Sequence, residues 1–265
     1  MRLTLDENWT ATTTGKPLRV TPRFSFRDFS VRIAPYTDAD ERTRYLTGTF
    51  GSTAWLWDTP DELRFDLVDR ELVGAEFHIV GEAADPEDAA RVPTRPLVRS
   101  GGLRAEEVRG FRLETTTELC RSPGDSVFTC LRDLDVLDEP PAARIGIAPG
   151  VALLVQHGAV VGWDLTDPVK YLTSGFAAPD PAPPVPATRH LFTECMDIIT
   201  TSLFDEVRAR NPAALAGLRT VRRNLRDQQQ DLHRVGALAT ASRAADQSSD
   251  GRGTPGVADE TTARP

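Results

Sequence analysis

Apolar residues recur at a period near two through most of the first 180 positions, and at a period near 3.6 beyond them. In "LRFDLVD" (Leu63–Asp69), Leu63, Phe65 and Leu67 alternate with Arg64, Asp66 and Val68; in "LVGAEFHIV" (Leu72–Val80), Val73, Ala75, Phe77 and Ile79 share a face. Strand side chains alternate between faces, so these segments predict a hairpin joined at Arg70-Glu71. "VRGFRLETTTEL" (Val108–Leu119), "SVFTCLRDLDVL" (Ser126–Leu137) and "RIGIA" (Arg144–Ala148) predict further strands, with a Ser-Pro-Gly-Asp turn between the first two. The clearest hairpin pairs "GVALLVQ" with "AVVGWDL" around His157-Gly158, a two-residue connection that favours positive φ. Both arms are apolar almost throughout, which predicts a central pair covered on both faces.

Between these elements, "GEAADPEDAARVPTRPLVRSGG" (Gly81–Gly102) reads as a long polar loop with at most a short helix over "PEDAAR". Asp58 or Thr59 before Pro60 would cap a helical turn. Thr166 or Asp167 before Pro168 either opens another such turn or leads into one more strand.

"AAPDPAPPVPAT" (Ala177–Thr188) interrupts the pattern, since its prolines suit a stiff extended spacer and no sheet or helix interior. After it, Leu191, Cys195 or Met196, Ile199, Leu203 and Val207 predict a helix over Arg189–Arg210. Asn211 can cap, and Pro212 open, a second helix reaching about Ala245, with Leu218, Val221, Leu225, Leu232, Val235 and Ala239 on its apolar seam and Gln228 interrupting it. The short junction favours antiparallel packing of the two. The expectation is an α+β protein: an antiparallel β-rich domain over 1–176, a proline-rich linker over 177–188, a helical hairpin over 189–245 and a disordered tail over 246–265.

Composition changes this picture little, since 265 residues at 40% hydrophobic and 26% charged describe an ordinary globular chain. No apolar run approaches a membrane span, and "MRLTLDENWTATTTGK" lacks the apolar core of an export signal, so a soluble cytoplasmic protein is expected. Every basic residue except Lys16 and Lys170 is arginine, as codon bias in a GC-rich bacterial genome would produce. Cys120, Cys130 and Cys195 have no metal-type spacing. The first two face each other across the predicted turn, but two reduced, buried thiols are the expectation.

Charge changes it more. Net charge is −8, yet Arg208–Arg243 holds eight arginines against only Asp227 and Asp231, leaving −12 on the first 207 residues. The overall balance argues against nucleic acid and acidic lipid as partners. The second helix, with Arg219, Arg222, Arg223 and Arg226, either lies on its own acidic body or meets an acidic partner. Trp55 and Trp57 share a face of any strand over "STAWLWDTP" and suit either a packed core or a recognition patch.

Catalytic signals are weak. Glu76 and His78 share a strand face and would need His157 to approach before they could hold a metal, while His157 and Asp164 in "HGAVVGWD" are the residue types of a proton shuttle with no nucleophile placed beside them. "TGTFGS" (Thr47–Ser52) lacks the lysine and spacing of a phosphate loop. No metal or cofactor is expected, and no catalytic residue is assigned. The leading expectation is a non-catalytic accessory, regulatory or immunity-type protein that binds a protein partner or a second copy. An enzyme of unfamiliar type, with its site near Glu76, His78 and His157, is the first alternative. A structural subunit self-assembling through its carboxy-terminal helices is the second.

Overall fold

The protein is α+β, as seen in a computed structural model that describes residues 1–6, 9–52, 61–201 and 203–239, the side chains of 204 and 208 excepted. The first sheet holds β1 (Arg2–Asp6), β2 (Trp9–Thr14), β8 (Val98–Ser100), β9 (Gly102–Ala105), β10 (Glu118–Arg121), β11 (Val127–Leu131), β12 (Ala143–Ala148), β13 (Val151–Gln156) and β14 (Ala159–Thr166). The second holds β3 (Arg23–Ser25), β4 (Ser30–Ile33), β5 (Thr49–Gly51), β6 (Glu62–Asp66), β7 (Leu72–His78) and β15 (Leu172–Thr173), in the order β15-β3-β4-β7-β6-β5. The helices are α1 (Ala39–Thr47), α2 (Pro86–Arg91), α3 (Pro186–Thr200), α4 (Leu203–Arg208) and α5 (Pro212–Asp227), and residues 232–239 are also helical.

The main path of the first sheet runs β8-β12-β13-β14-β1-β2-β9. One continuous segment, 98–105, supplies both of its ends, pairing through β8 with β12 and through β9 with β2. The path therefore returns on itself, which leaves fewer unpaired edge groups than an open sheet would have. Three pairings are parallel: β1 with β14, β8 with β12, and β3 with β15. The expected antiparallel architecture is corrected to mixed sheets. Hairpin patterns reveal local partners only, whereas these parallel neighbours are far apart in sequence.

The β13–β14 hairpin matches its sequence pattern. His157 (φ 50°) and Gly158 (φ 79°) form the turn, and β13 is buried at every position. At Gly162, on β14, a Cβ would sit 2.3 Å from the Cys130 carbonyl oxygen of β11, so only glycine permits this close approach. Asp167 (φ 55°) introduces a 3₁₀ turn over Pro168–Tyr171 that runs straight into β15; Pro168 opens the turn and a strand follows, but the Asp167 side chain makes no cap bond. The strand expected over Val108–Leu119 forms only at its end, as β10, and the one expected over Ser126–Leu137 gives way to a 3₁₀ turn at Leu134. Helix α1 was not anticipated, although Asp38 accepts from the Glu41 N–H and Glu41 reaches back to the Thr37 N–H, a reciprocal cap readable as D-x-x-E.

Beyond the prolines the chain is helical, with two breaks. The first expected helix stops at Thr200 and resumes as α4; the second stops at Asp227, and Asp231 (φ 57°) separates it from 232–239. Asn211 caps α5 as expected, accepting from the Ala213 N–H at 2.9 Å. Leu191, Phe192, Cys195 and Met196 of α3 and Leu218, Val221 and Leu225 of α5 belong to the same continuous core as both sheets. Phe192 is fully buried, stacked on Phe128 and set edge-on to Phe24 and Phe26. Among the described residues no helix is long and apolar enough to cross a membrane. The expected tail over 246–265 lies outside the described residues.

Phe192→Ala should cost about 3–5 kcal/mol, because it opens a cavity among three other rings. Urea melts followed by tryptophan fluorescence and by far-ultraviolet circular dichroism should shift together, since helix and sheets share this cluster.

Candidate functional site

Helix α5 lies on the body by its apolar stripe, with Ala214, Leu218, Val221 and Leu225 buried. Arg219, Arg223 and Arg226, at i, i+4 and i+7, fall on the opposite side and are exposed; Arg222 is half-buried. Among the described residues no carboxylate pairs with Arg219, Arg223 or Arg226, which leaves three cations in a row spanning about 10 Å of helix. The seam was only partly right. Leu232 is 64% exposed, because the break at 228–231 turns the last helical stretch, which keeps Val235 buried as expected and buries Leu238 as well.

Arg234 behaves unlike its neighbours. Its guanidinium is buried, bonds Asp231 at 2.9 Å, and donates to the carbonyls of Asp180 and Ala182 at 2.7 and 2.6 Å. Proline-rich chain offers carbonyls with few competing N–H groups, so this cation fastens the spacer to the terminal helical stretch.

A cavity of about 700 Å³ forms an open groove between α2, the Ser122–Asp125 turn and α3. Arg121 lies on its floor, paired with buried Asp125 through two bonds of 2.7 and 2.9 Å, and with Asp197 at 2.8 Å. Burial alone would disfavour the guanidinium's charge, but these carboxylates outweigh it and raise the Arg121 pKa. Glu82 and Asp85 on the rim are exposed and make no ion pair among the described residues, so the groove is acidic overall.

The remaining sequence candidates are scattered. Trp55 and Trp57, and the expected cap at Asp58 or Thr59, lie outside the described residues. Glu76 forms a largely buried ion pair with Arg32 in the second sheet. His157 stands at a turn tip of the first sheet, 3.0 Å from Glu139, and no bond joins it to Glu76 or His78 among the described residues. No group of three or more potential metal ligands occurs there either. Cys120 pairs in register with Thr129, and Cys130 with Leu119, so the two thiols project from opposite faces of the hairpin and remain free and buried.

The Asp61-Glu62 pair reads in sequence as ordinary acids of a loop or helix start, and the structure gives Asp61 a different setting. Asp61 is 2% exposed between the sheets, accepting from the His78 N–H (2.8 Å), Trp163 Nε1 (3.1 Å) and Thr116 Oγ1 (3.3 Å). Phe77 stacks on Trp163 beside it, at a centroid distance of 4.9 Å. Desolvation outweighs its three hydrogen bonds and, with no cation facing this carboxyl among the described residues, pushes its pKa up to about 7. Adjacent Cys130 is likewise held as a neutral thiol by burial. Only the packing of a second sheet over Asp61 creates the shift. The surrounding cavity is too small to admit a substrate, so Asp61 acts as a staple between layers.

Compared with known proteins, the chain matches no protein family, no curated protein and no solved structure.

The Asp61 shift has a definite sign. Unfolded, the group titrates near 3.8; folded, near 7, so between those values the folded protein holds a proton that the unfolded chain has lost. Stability from this group is therefore greatest below about pH 4 and falls as pH rises through about 7, by up to about 4 kcal/mol. Asp61→Asn should flatten that fall in urea midpoints taken from pH 4.5 to pH 8. It should also lower stability at the acid end by about 1–2 kcal/mol, because an amide NH₂ would face Trp163 Nε1.

Proposed function

We propose that the protein is a non-catalytic docking protein whose α5 face binds an acidic protein surface. One observation carries the reading: Arg219, Arg223 and Arg226 form an outward row on a helix anchored by its opposite side, with no internal carboxylate among the described residues to neutralise them. The planar, permanently charged guanidinium bonds carboxylates in pairs, and arginine is enriched at protein interfaces. A body carrying −12 repels polyanions such as nucleic acid at long range, so a local acidic patch on a protein suits this row better than an extended phosphate backbone. The anchoring also favours binding without large rearrangement, since Leu218, Val221 and Leu225 already fix the orientation of the helix.

The triple change Arg219→Gln, Arg223→Gln and Arg226→Gln should leave the melting temperature within a few degrees of wild type while weakening partner capture at least tenfold, equivalent to about 1.4 kcal/mol. The measurement is quantitative pull-down from the native cell, with residue-resolved cross-linking of the captured partner. Cross-links away from α5, or capture indifferent to the triple change, would remove this reading.

A further inference from the structure

We propose that the partner of α5 is a second copy of this chain, whose acidic groove receives the arginine row in a closed two-fold dimer. The proposal rests on the docking reading above and names its partner.

Charge is the first argument. Arg121 on the groove floor is shared between buried Asp125 and Asp197, so the groove stays net negative, and Glu82 and Asp85 make no ion pair among the described residues. Two unpaired carboxylates, beside an Asp197 that shares its cation with Asp125, complement three guanidiniums that pair with no carboxylate among the described residues. Shape is the second. The groove is open and about 700 Å³, with Ala83, Ala89 and Ala90 among its lining, so aliphatic arginine stems can lie against small apolar walls while their heads reach the rim acids.

Placement is the third argument, and it selects a second copy over self-docking. Both surfaces flank α3: Thr193 and Asp197 line the groove, while Glu194, on the neighbouring line of the same helix, accepts from Asn224 of α5 at 3.5 Å. Within one chain the buried stripe of α5 fixes its arginines outward, so they cannot turn back into their own groove. Two surfaces side by side can be exchanged across a two-fold axis near α3. Each row then meets the other copy's groove, both contacts are satisfied at once, and assembly stops at two instead of growing into a filament.

Sedimentation velocity of the full chain decides this. A dimer is expected in about 50 mM salt and dissociation in about 0.5 M, because the contacts are screened. Two variants reverse one side each: Arg219→Glu with Arg223→Glu and Arg226→Glu, and Glu82→Lys with Asp85→Lys. Either alone should raise the dimer dissociation constant at least tenfold without changing the circular dichroism spectrum. Mixed together they should form a heterodimer, since each acidic row then meets a basic groove and the reverse. A monomer in low salt, a dimer indifferent to both reversals, or a mixture that stays monomeric would each overturn the proposal. The docking reading would survive those results if capture of another protein from the cell still depended on the arginine row.

Discussion

Strand β14 carries the constraint that shapes the rest of the molecule. It must bond its backbone to β13 along one edge while sharing the other between β1 and β11, and residues 161–165 are buried throughout. A strand with so little freedom admits only particular side chains. Gly162 lets β11 approach, Trp163 reaches across to Phe77 and Asp61 of the second sheet, and Asp164 forms a buried pair with Arg144 at 2.5 Å. Removing Arg144 alone would strand a charge at a site that already raises the Asp164 pKa by burial. The two sheets are therefore joined at β14 by specific polar contacts as well as by apolar area.

The helices complete this arrangement. Both sheets still present aromatic surface at Phe24, Phe26 and Phe128, and Phe192 of α3 closes it. Once α3 is fixed, α5 can lie beside it, and Arg234 ties the terminal helical stretch back to the spacer. The proline segment changes the type of secondary structure without interrupting the core, because its carbonyls serve as acceptors for a buried cation.

Sequence pattern revealed those features whose cause is local. The β13–β14 turn, the Asn211–Pro212 helix start and the short helix at Pro86 each follow from a few adjacent residues. Parallel pairing of Thr4 with Ala159 has no local cause and could not be read. The helix breaks were partly visible: paired β-branched residues at Thr200-Thr201 weaken one helix, while the apolar period alone carried the other through Gln228 when the backbone in fact stops there. The candidate site divides in the same way. Periodicity placed Arg219, Arg223 and Arg226 on one face, but it could not separate them from half-buried Arg222 or from buried Arg234, because arginine reads alike whether it faces water or backbone carbonyls. The groove was invisible, since its walls come from three separate segments, around Glu82–Ala90, Arg121–Asp125 and Thr193–Thr201, that only the fold brings together.

Electrostatics then relates the body to the arm. Like charges at i, i+4 on a helix are unfavourable by a few tenths of a kcal/mol per pair, so the row at Arg219, Arg223 and Arg226 slightly weakens the isolated chain. The long-range field of the acidic body compensates weakly, because water and salt screen charges more than about 8–10 Å apart. The acids of the groove repel one another in the same manner, with Arg121 engaged below them. The proposed dimer contact would relieve both of these small repulsions at once. Relief of these repulsions is small beside the direct attraction of unlike charges across the contact, and the two together must exceed the entropy and desolvation costs of association. The contact would remain adjustable by salt, which suits an assembly that forms and separates reversibly.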